Sequence, residues 1–243
     1  QSQIWVILIP TIIYAVLFFG QNFPKPRIVE NSTLDNFKAI LNPLYLFMAA
    51  CMALTAISEF GPQQWVGPIL AKAGASPMLI LALVTGLMAV GRYFAGSLIK
   101  QLNTVGVLLG SAIFGVLGIY MMSTMDGTML YVAAVFYALG ICYFWPNMIG
   151  FIAEKIPLSG AIGMSIVGAI GMFSTSIWQP IIGGWIDTAR TDAAAAGLEG
   201  DALELAAGQS TLQTMVAFPA VLIVLFTILW FWMRSKKATA AAH

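Results

Sequence analysis

Long apolar segments constrain this chain more than any other feature. A helix needs about 20 apolar residues to cross about 30 Å of hydrocarbon. Seven segments meet this length: residues 4–23, 44–70, 78–99, 105–125, 128–153, 161–186 and 212–233. They lack the apolar–polar alternation of barrel strands, and a helix satisfies its own backbone hydrogen bonds in lipid. The sequence therefore predicts an all-α, polytopic transmembrane helix bundle with seven spans.

The composition excludes several classes of soluble protein. Hydrophobic residues make up 60% of the chain and charged residues 9%, whereas soluble domains average about 25% charged. So few charges cannot cover a water-facing surface, which excludes an ordinary soluble enzyme. The net charge of +1 gives no attraction to nucleic acid, so no nucleic-acid partner is expected. The expected surroundings are a lipid bilayer.

The basic residues predict how the chain is oriented. With seven spans, nine of the 11 Lys and Arg residues fall on or near one side, and only Lys72 and Arg190 fall on the other. Because cytoplasmic loops are rich in Lys and Arg, we expect an outside N-terminus and a cytoplasmic C-terminus. The predicted organisation is a transmembrane helix (1–23), a cytoplasmic connector (24–43), a six-helix bundle (44–233) and a cytoplasmic tail (234–243).

Two connecting segments carry further signals. Residues 31–33, Asn-Ser-Thr, match the glycosylation pattern. They fall on the predicted cytoplasmic side, so we interpret them as a turn or cap that starts a helix at residues 34–40. The acidic, alanine-rich segment 187–211 predicts a solvated outer loop with a short surface helix at 201–207.

Glu59 is the one carboxylate that lies well inside an apolar span. Ionisable groups inside a membrane are expensive and indicate function. The following Gly61-Pro62 predicts a helix break, which is tolerated only where the freed backbone faces protein or a water-filled cavity. We therefore predict that Glu59, Gln63, Gln64 and Trp65 line a cavity. The alternative is that Glu59 is solvated at the outer interface.

The fifth and sixth predicted spans add polar and aromatic groups. Pro146 predicts a second helix break. Amides and hydroxyls bind polar solutes, while aromatic faces pack against sugar rings. The further cavity candidates are Tyr143, Trp145, Asn147, Ser174, Trp178 and Gln179. The alternative is that these residues are interfacial aromatics and contacts that hold helices together.

Charged groups near the predicted cytoplasmic side suggest a gate. Arg92 in the third span and Glu154 at the end of the fifth are a cation and a carboxylate that could latch helices together, or else reach the headgroups separately. His243 is the only histidine, so neither a metal cluster nor a histidine-based triad is expected. Without a Gly-rich phosphate loop either, the sequence predicts no enzyme, no cofactor and no metal.

Several motifs resemble those of the major facilitator superfamily. Gly91-Arg92 followed by Gly96 and Lys100 is similar to the superfamily's connection between the eighth and ninth helices. Residues 154–157, Glu-Lys-Ile-Pro, resemble the end of its tenth helix. The pair Gln63-Gln64 resembles the glutamine pair of sugar porters, and residues 59–65 resemble the fucose–galactose–glucose proton symporters. Residues 145–147, Trp-Pro-Asn, stand where such transporters place sugar-facing residues.

The resemblance implies that the chain corresponds to the sixth to twelfth helices of such a transporter. It implies an N-terminal half-bundle as partner, alternating access, a bacterial inner-membrane location and a cytoplasmic gate that includes Arg92, Lys100 and Glu154. The first expectation is a small polar solute, a sugar, with a proton or another ion coupled through Glu59. An organic anion or a nucleoside is the second expectation. A seven-helix receptor or retinal protein is the third, although the last span lacks the lysine that retinal needs.

Overall fold

Helices account for all regular structure in the part of the chain that is described. The computed structural model describes the backbone of residues 2–22 and 32–241, with the side chains of residues 5–22, 32–65 and 73–235. No β-strand occurs among these residues, which confirms the predicted all-α class. Residues 24–31 of the predicted connector lie outside the described residues, as do the last two residues of the predicted tail.

The chain divides into two compact units, residues 1–30 and residues 31–243. The first unit contains helix α1, Ser2–Phe18, a uniformly apolar helix of 17 residues. This length is at the lower end of the range for a membrane span. The helix ends before the predicted boundary at residue 23, and Gly20 then turns the chain with a φ of 73°.

The second unit begins with α2, Thr33–Ile40, and α3, Pro43–Lys72. The hydroxyl oxygen of Ser32 accepts a hydrogen bond from the backbone N–H of Asp35 at 3.2 Å. This bond satisfies a donor that the first turn of α2 would otherwise leave open. It confirms the predicted cap before residues 34–40. Helix α3 corresponds to the second predicted span.

Helix α4, Pro77–Thr124, contains the third and fourth predicted spans in 48 residues. In a straight helix Ile80 and Met122 would be about 63 Å apart, yet both line one cavity. The chain therefore folds back between them. The backbone departs from helical geometry at Asn103, with φ 56° and ψ 167°. This position lies inside the predicted connector 100–104.

Helices α5, Met129–Ile141, and α6, Phe144–Lys155, together occupy the fifth predicted span. A single 3₁₀ turn, Pro157–Ser159, leads into α7, Gly160–Ala195. Helix α7 contains the sixth predicted span and continues through Pro180. The chain then forms α8, Gly200–Met215, and α9, Ala217–Ala241.

The predicted outer loop 187–211 is wrong in its extent, because most of it is helical. Helix α7 continues to Ala195 and α8 starts at Gly200. The guanidinium of Arg190 joins the two helices, since it contacts Glu204 on α8 at 2.8 Å and Asp187 on α7 at 3.0 Å. These ion pairs, together with alanines of high helix propensity, extend helical structure beyond the apolar segments.

Five helical segments within the described residues are long and apolar enough to cross a membrane: Pro43–Trp65, Pro77–Thr124, Met129–Lys155, Pro157–Ala195 and Gly200–Ser235. Glycines bring two of them into close contact. A Cβ on Gly118 would collide with the backbone of Tyr137, and a Cβ on Gly140 with the backbone of Gly115. Small residues allow such approach between membrane helices, so the second half of α4 packs directly on α5.

Candidate functional site

The predicted break at Gly61-Pro62 is wrong, because α3 is helical from Pro43 to Lys72. Pro62 has no N–H to donate to the carbonyl of Ser58, four residues earlier. The hydroxyl of Tyr137 on α5 lies 3.5 Å from that carbonyl oxygen and donates to the carbonyl of Glu59 at 2.6 Å. Neighbouring side chains thus supply donors to the turn that contains the proline, which is how a membrane helix tolerates one.

A second side chain supports the same turn from another helix. The amide of Gln179 on α7 donates to the carbonyl of Phe60 at 3.0 Å. Its oxygen accepts a hydrogen bond from the indole N–H of Trp65 at 2.9 Å. Gln179 and Trp65, two of the predicted cavity residues, are therefore brought together. Both act on the segment of α3 that follows Glu59.

The predicted break in the fifth span is present. Helix α5 ends at Ile141 and α6 begins at Phe144, with Cys142 and Tyr143 between them. Pro146 lies in the first turn of α6, where a missing N–H leaves no helical bond unmade. Since α5 has 13 residues and α6 has 12, the interruption falls at the middle of this span.

Arg92 contacts this interruption directly. Its Nε donates to the carbonyl oxygen of Cys142 at 3.0 Å. The adjacent Gly91 allows α4 to come this close, since a Cβ there would lie 2.7 Å from the Cys142 sulfur and 3.2 Å from the Tyr143 hydroxyl. Arg92 and Tyr143 therefore lie on the same side of the broken span.

Glu59 is buried, with 4% of its surface exposed. Its Oε2 has no hydrogen-bond partner among the described residues. No ion pair within 4.0 Å joins Glu59 to Arg92 in the described part of the chain. The structure thus leaves a buried carboxylate oxygen on α3 without a partner among the described residues.

Trp145 and Asn147 belong to the same region. The edge of the Trp145 ring faces Phe60 with ring centroids 5.9 Å apart, and the ring also packs against the position of Gly171 on α7. Within the described residues, the Trp145 indole N–H and the Asn147 amide nitrogen are buried without a hydrogen-bond acceptor. Buried donors of this kind are rare in native structures and call for a ligand or water.

The remaining cavity candidates divide into different environments. Ser174 donates to the carbonyl of Ala53 at 2.9 Å, which is a contact that holds α7 to α3. Trp178 packs on Phe218 with ring centroids 4.8 Å apart. Gln64 is exposed. Gln63 lines a mostly apolar cavity of about 440 Å³ between α3, α4 and α5, together with Tyr137.

The structure does not bring the predicted gate residues together. Glu154 pairs with the adjacent Lys155 at 2.6 Å, whereas Arg92 bonds to Cys142. Glu154 lines a cavity of about 130 Å³ with Asn103 and Arg234. Lys100 is an exposed residue that precedes the fold-back at Asn103. In this conformation, Arg92 and Glu154 serve separate parts of the bundle.

Sequence reasoning missed Tyr137 and Cys142. Tyr137 stood in an apolar run without any local signal. Cys142 also lies in an apolar run, and its backbone carbonyl is the acceptor for Arg92. The proximity of the Pro146 break could have pointed to that carbonyl, because a broken helix leaves acceptors without a helical partner.

Comparison of the chain with protein-family models, with curated proteins and with solved structures finds no match. The structure itself shows an all-α bundle with membrane-length helices, one of which is interrupted between α5 and α6.

Proposed function

We propose that this chain is the C-terminal bundle of a secondary active transporter that moves a small polar solute by alternating access. The single observation that carries this proposal is the polar centre at the middle of the fifth span. There, Arg92 donates to the carbonyl of Cys142 between α5 and α6. The side-chain nitrogens of Trp145 and Asn147 on α6 and Oε2 of Glu59 on α3 are buried without partners among the described residues. Non-helical backbone and ionisable groups at this depth are tolerated where they line a cavity.

The proposal assigns different tasks to the parts of this centre. Glu59, buried without a partner for Oε2, is the group that takes up and releases the coupled proton. Trp145 and Asn147 bind the solute through their open N–H groups, and the Trp145 ring offers an apolar face to a sugar. Tyr137 and Gln179 keep α3 helical at Pro62, so that Glu59 is held in a defined position.

The centre also supports transport over the receptor alternative. A transporter needs binding groups from several helices that change partners as the cavity opens. Here three helices contribute groups without a full set of partners, on α3, α4 and α6. A purely structural bundle would satisfy these groups internally, because an unmade buried hydrogen bond costs about 1–3 kcal/mol.

The test is solute counterflow in proteoliposomes that contain the complete protein carrying this chain. A panel of labelled sugars, nucleosides and small organic acids is offered with and without an imposed inward proton gradient. Saturable counterflow of at least one solute, with accumulation that depends on the gradient, is expected. Protein that is folded and correctly inserted, yet catalyses counterflow of no member of the panel, would overturn the proposal.

A further inference from the structure

Arg92 is fixed at the middle of the bundle rather than at its edge. Its Nε bonds to the Cys142 carbonyl at 3.0 Å, and Cys142 lies at the midpoint of the fifth span. Half of that span is about 20 Å long. A side chain held there by its own hydrogen bond is not extended towards the headgroups, so the alternative in which Arg92 reaches the membrane surface does not fit this geometry.

The guanidinium nevertheless retains most of its binding capacity. Arginine has five N–H donors in a planar fork, and among the described residues only the bond from Nε is made. The side chain is exposed, and no ion pair joins it to a described acidic residue. An exposed cation at mid-membrane depth cannot face hydrocarbon at acceptable cost. It must face a water-filled cavity or a partner bundle.

The bond from Nε orients the rest of the group. It leaves Nη1 and Nη2 as the donors without partners in the described structure, and such a pair matches the two oxygens of a carboxylate or a phosphate. The hydroxyl of Tyr143 lies beside the position of Gly91, and the buried side-chain nitrogens of Trp145 and Asn147 have no acceptor among the described residues. The interruption is thus flanked by hydrogen-bond donors on α4 and α6 that no described group satisfies.

We propose that Arg92 binds an oxyanion on the transported solute, so that the substrate class is a small organic acid rather than a neutral sugar. This inference rests on the proposed transport function and specifies the substrate of the same site. It moves Arg92 from the predicted cytoplasmic gate to the solute-binding site. Hydroxyl groups on the same acid would bind Glu59 and Asn147. A hydroxylated organic acid would thus use both the residues expected to bind a sugar and the cation expected to bind an anion.

The experiment compares matched neutral and anionic probes on the complete protein. The pairs are glucose with glucuronate, propane-1,2-diol with lactate, and glycerol with glycerol phosphate. Binding is measured as ligand-dependent thermal stabilisation in detergent, and transport as counterflow in proteoliposomes. We expect an anionic member to bind and to be transported while its neutral counterpart is not. The third pair separates a phosphate from a carboxylate as the recognised group.

Variants at Arg92 link this selectivity to the residue. Arg92→Gln keeps an amide N–H that can donate to the Cys142 carbonyl but removes the charge. It should weaken binding of the anionic probe by about tenfold or more, as expected for hydrogen bonds to a charged group. Arg92→Lys, which keeps the charge and loses the fork, should give an intermediate loss. Lys38→Gln, which removes an exposed cation on α2, is the matched control and should leave binding unchanged. Size-exclusion profiles verify that each variant is folded.

The outcomes separate this inference from the proposed function. If a neutral probe is transported and Arg92→Gln leaves its affinity unchanged, the transport function stands and the anionic substrate is wrong. An anionic probe that binds wild-type and Arg92→Gln protein equally also overturns the role of Arg92. If no probe of either charge binds or is transported by folded protein, and the wider panel gives no counterflow, the proposed function fails and the inference fails with it.

Discussion

The hydroxyl of Tyr137 donates a 2.6 Å hydrogen bond to the backbone carbonyl of Glu59, from a residue 78 positions later in the chain. The same hydroxyl lies 3.5 Å from the carbonyl of Ser58, whose usual helical donor is missing because residue 62 is proline. Tyr137 thus compensates for Pro62, and it does so beside the one buried carboxyl of the proposed site.

Tyr137→Phe should destabilise the protein by about 1–3 kcal/mol, because it leaves buried carbonyls with fewer donors. Thermal unfolding in detergent measures the loss, with Tyr120→Phe, at an exposed tyrosine, as the control. Pro62→Ala restores the missing N–H to the carbonyl of Ser58. In protein that carries Pro62→Ala, the loss of stability caused by Tyr137→Phe should therefore be smaller. An equal cost in both backgrounds would show that the two residues are not coupled.

Gly91→Ala should disrupt the contact between α4 and the interrupted span. A Cβ at this position would lie 2.7 Å from the Cys142 sulfur, so the helix or the cysteine must move. We expect this movement to lower the free energy of unfolding by about 1–3 kcal/mol. Adding Cys142→Ala should recover part of the loss by removing that sulfur. Gly86→Ala and Gly96→Ala meet nothing within 4 Å and serve as controls in the same unfolding assay. A similar effect at all three glycines would contradict the close contact.

Glu59→Gln should separate coupling from binding. The amide keeps the shape of the buried carboxyl and removes its titration, so gradient-driven accumulation in proteoliposomes should be abolished while solute exchange continues. A variant that loses affinity and both activities together would instead assign Glu59 to solute binding. Wild-type accumulation, affinity and pH dependence in Glu59→Gln would remove Glu59 from the mechanism.

Asn103 should be sensitive for two separable reasons. Its φ of 56° is unfavourable for residues other than glycine, and its side-chain oxygen accepts hydrogen bonds from the backbone N–H groups of Val105 and Gly106, both at 3.1 Å. Asn103→Ala removes the two side-chain hydrogen bonds and keeps the unfavourable φ angle. It should therefore lower the free energy of unfolding by about 1–3 kcal/mol. Asn103→Gly relieves the strain and should cost less. The reverse order in thermal unfolding would refute this explanation.

Cysteine labelling tests the orientation predicted from the basic residues. With Cys51 and Cys142, both buried, replaced by alanine, an impermeant thiol reagent should label Ala194→Cys on intact cells. Gln101→Cys, beside the fold-back of α4, should react only after permeabilisation. Both target positions are exposed on the surface of the bundle, so access to the reagent depends on the membrane side. Labelling of Gln101→Cys on intact cells would invert the predicted topology.

The positions of the helices could be predicted closely because they depend on local properties of the chain. A predominantly apolar segment of about 20 residues favours a helix in lipid, because a helix satisfies its own backbone hydrogen bonds, and residues 44–70 lie within α3. Ser32 caps α2 through Asp35, three residues along the chain. The interruption next to Pro146 also has a local cause, because proline lacks a backbone N–H and disfavours the interior of a helix. The helical extension across residues 187–211 was missed because one of its ion pairs, Arg190 with Glu204, joins two different helices.

By itself the sequence determined that the chain is helical and where most of the membrane-length helices lie. Of the two helix breaks that it predicted, only the one next to Pro146 is present. Only the tertiary structure decided that α3 continues through Pro62, because the donors from Tyr137 and Gln179 come from helices distant in the chain. It also decided that Arg92 contacts Cys142, 50 residues away, rather than Glu154. The physical reason is that a hydrogen bond between side chain and backbone acts over about 3 Å, and a linear pattern does not show which helices pack within that distance.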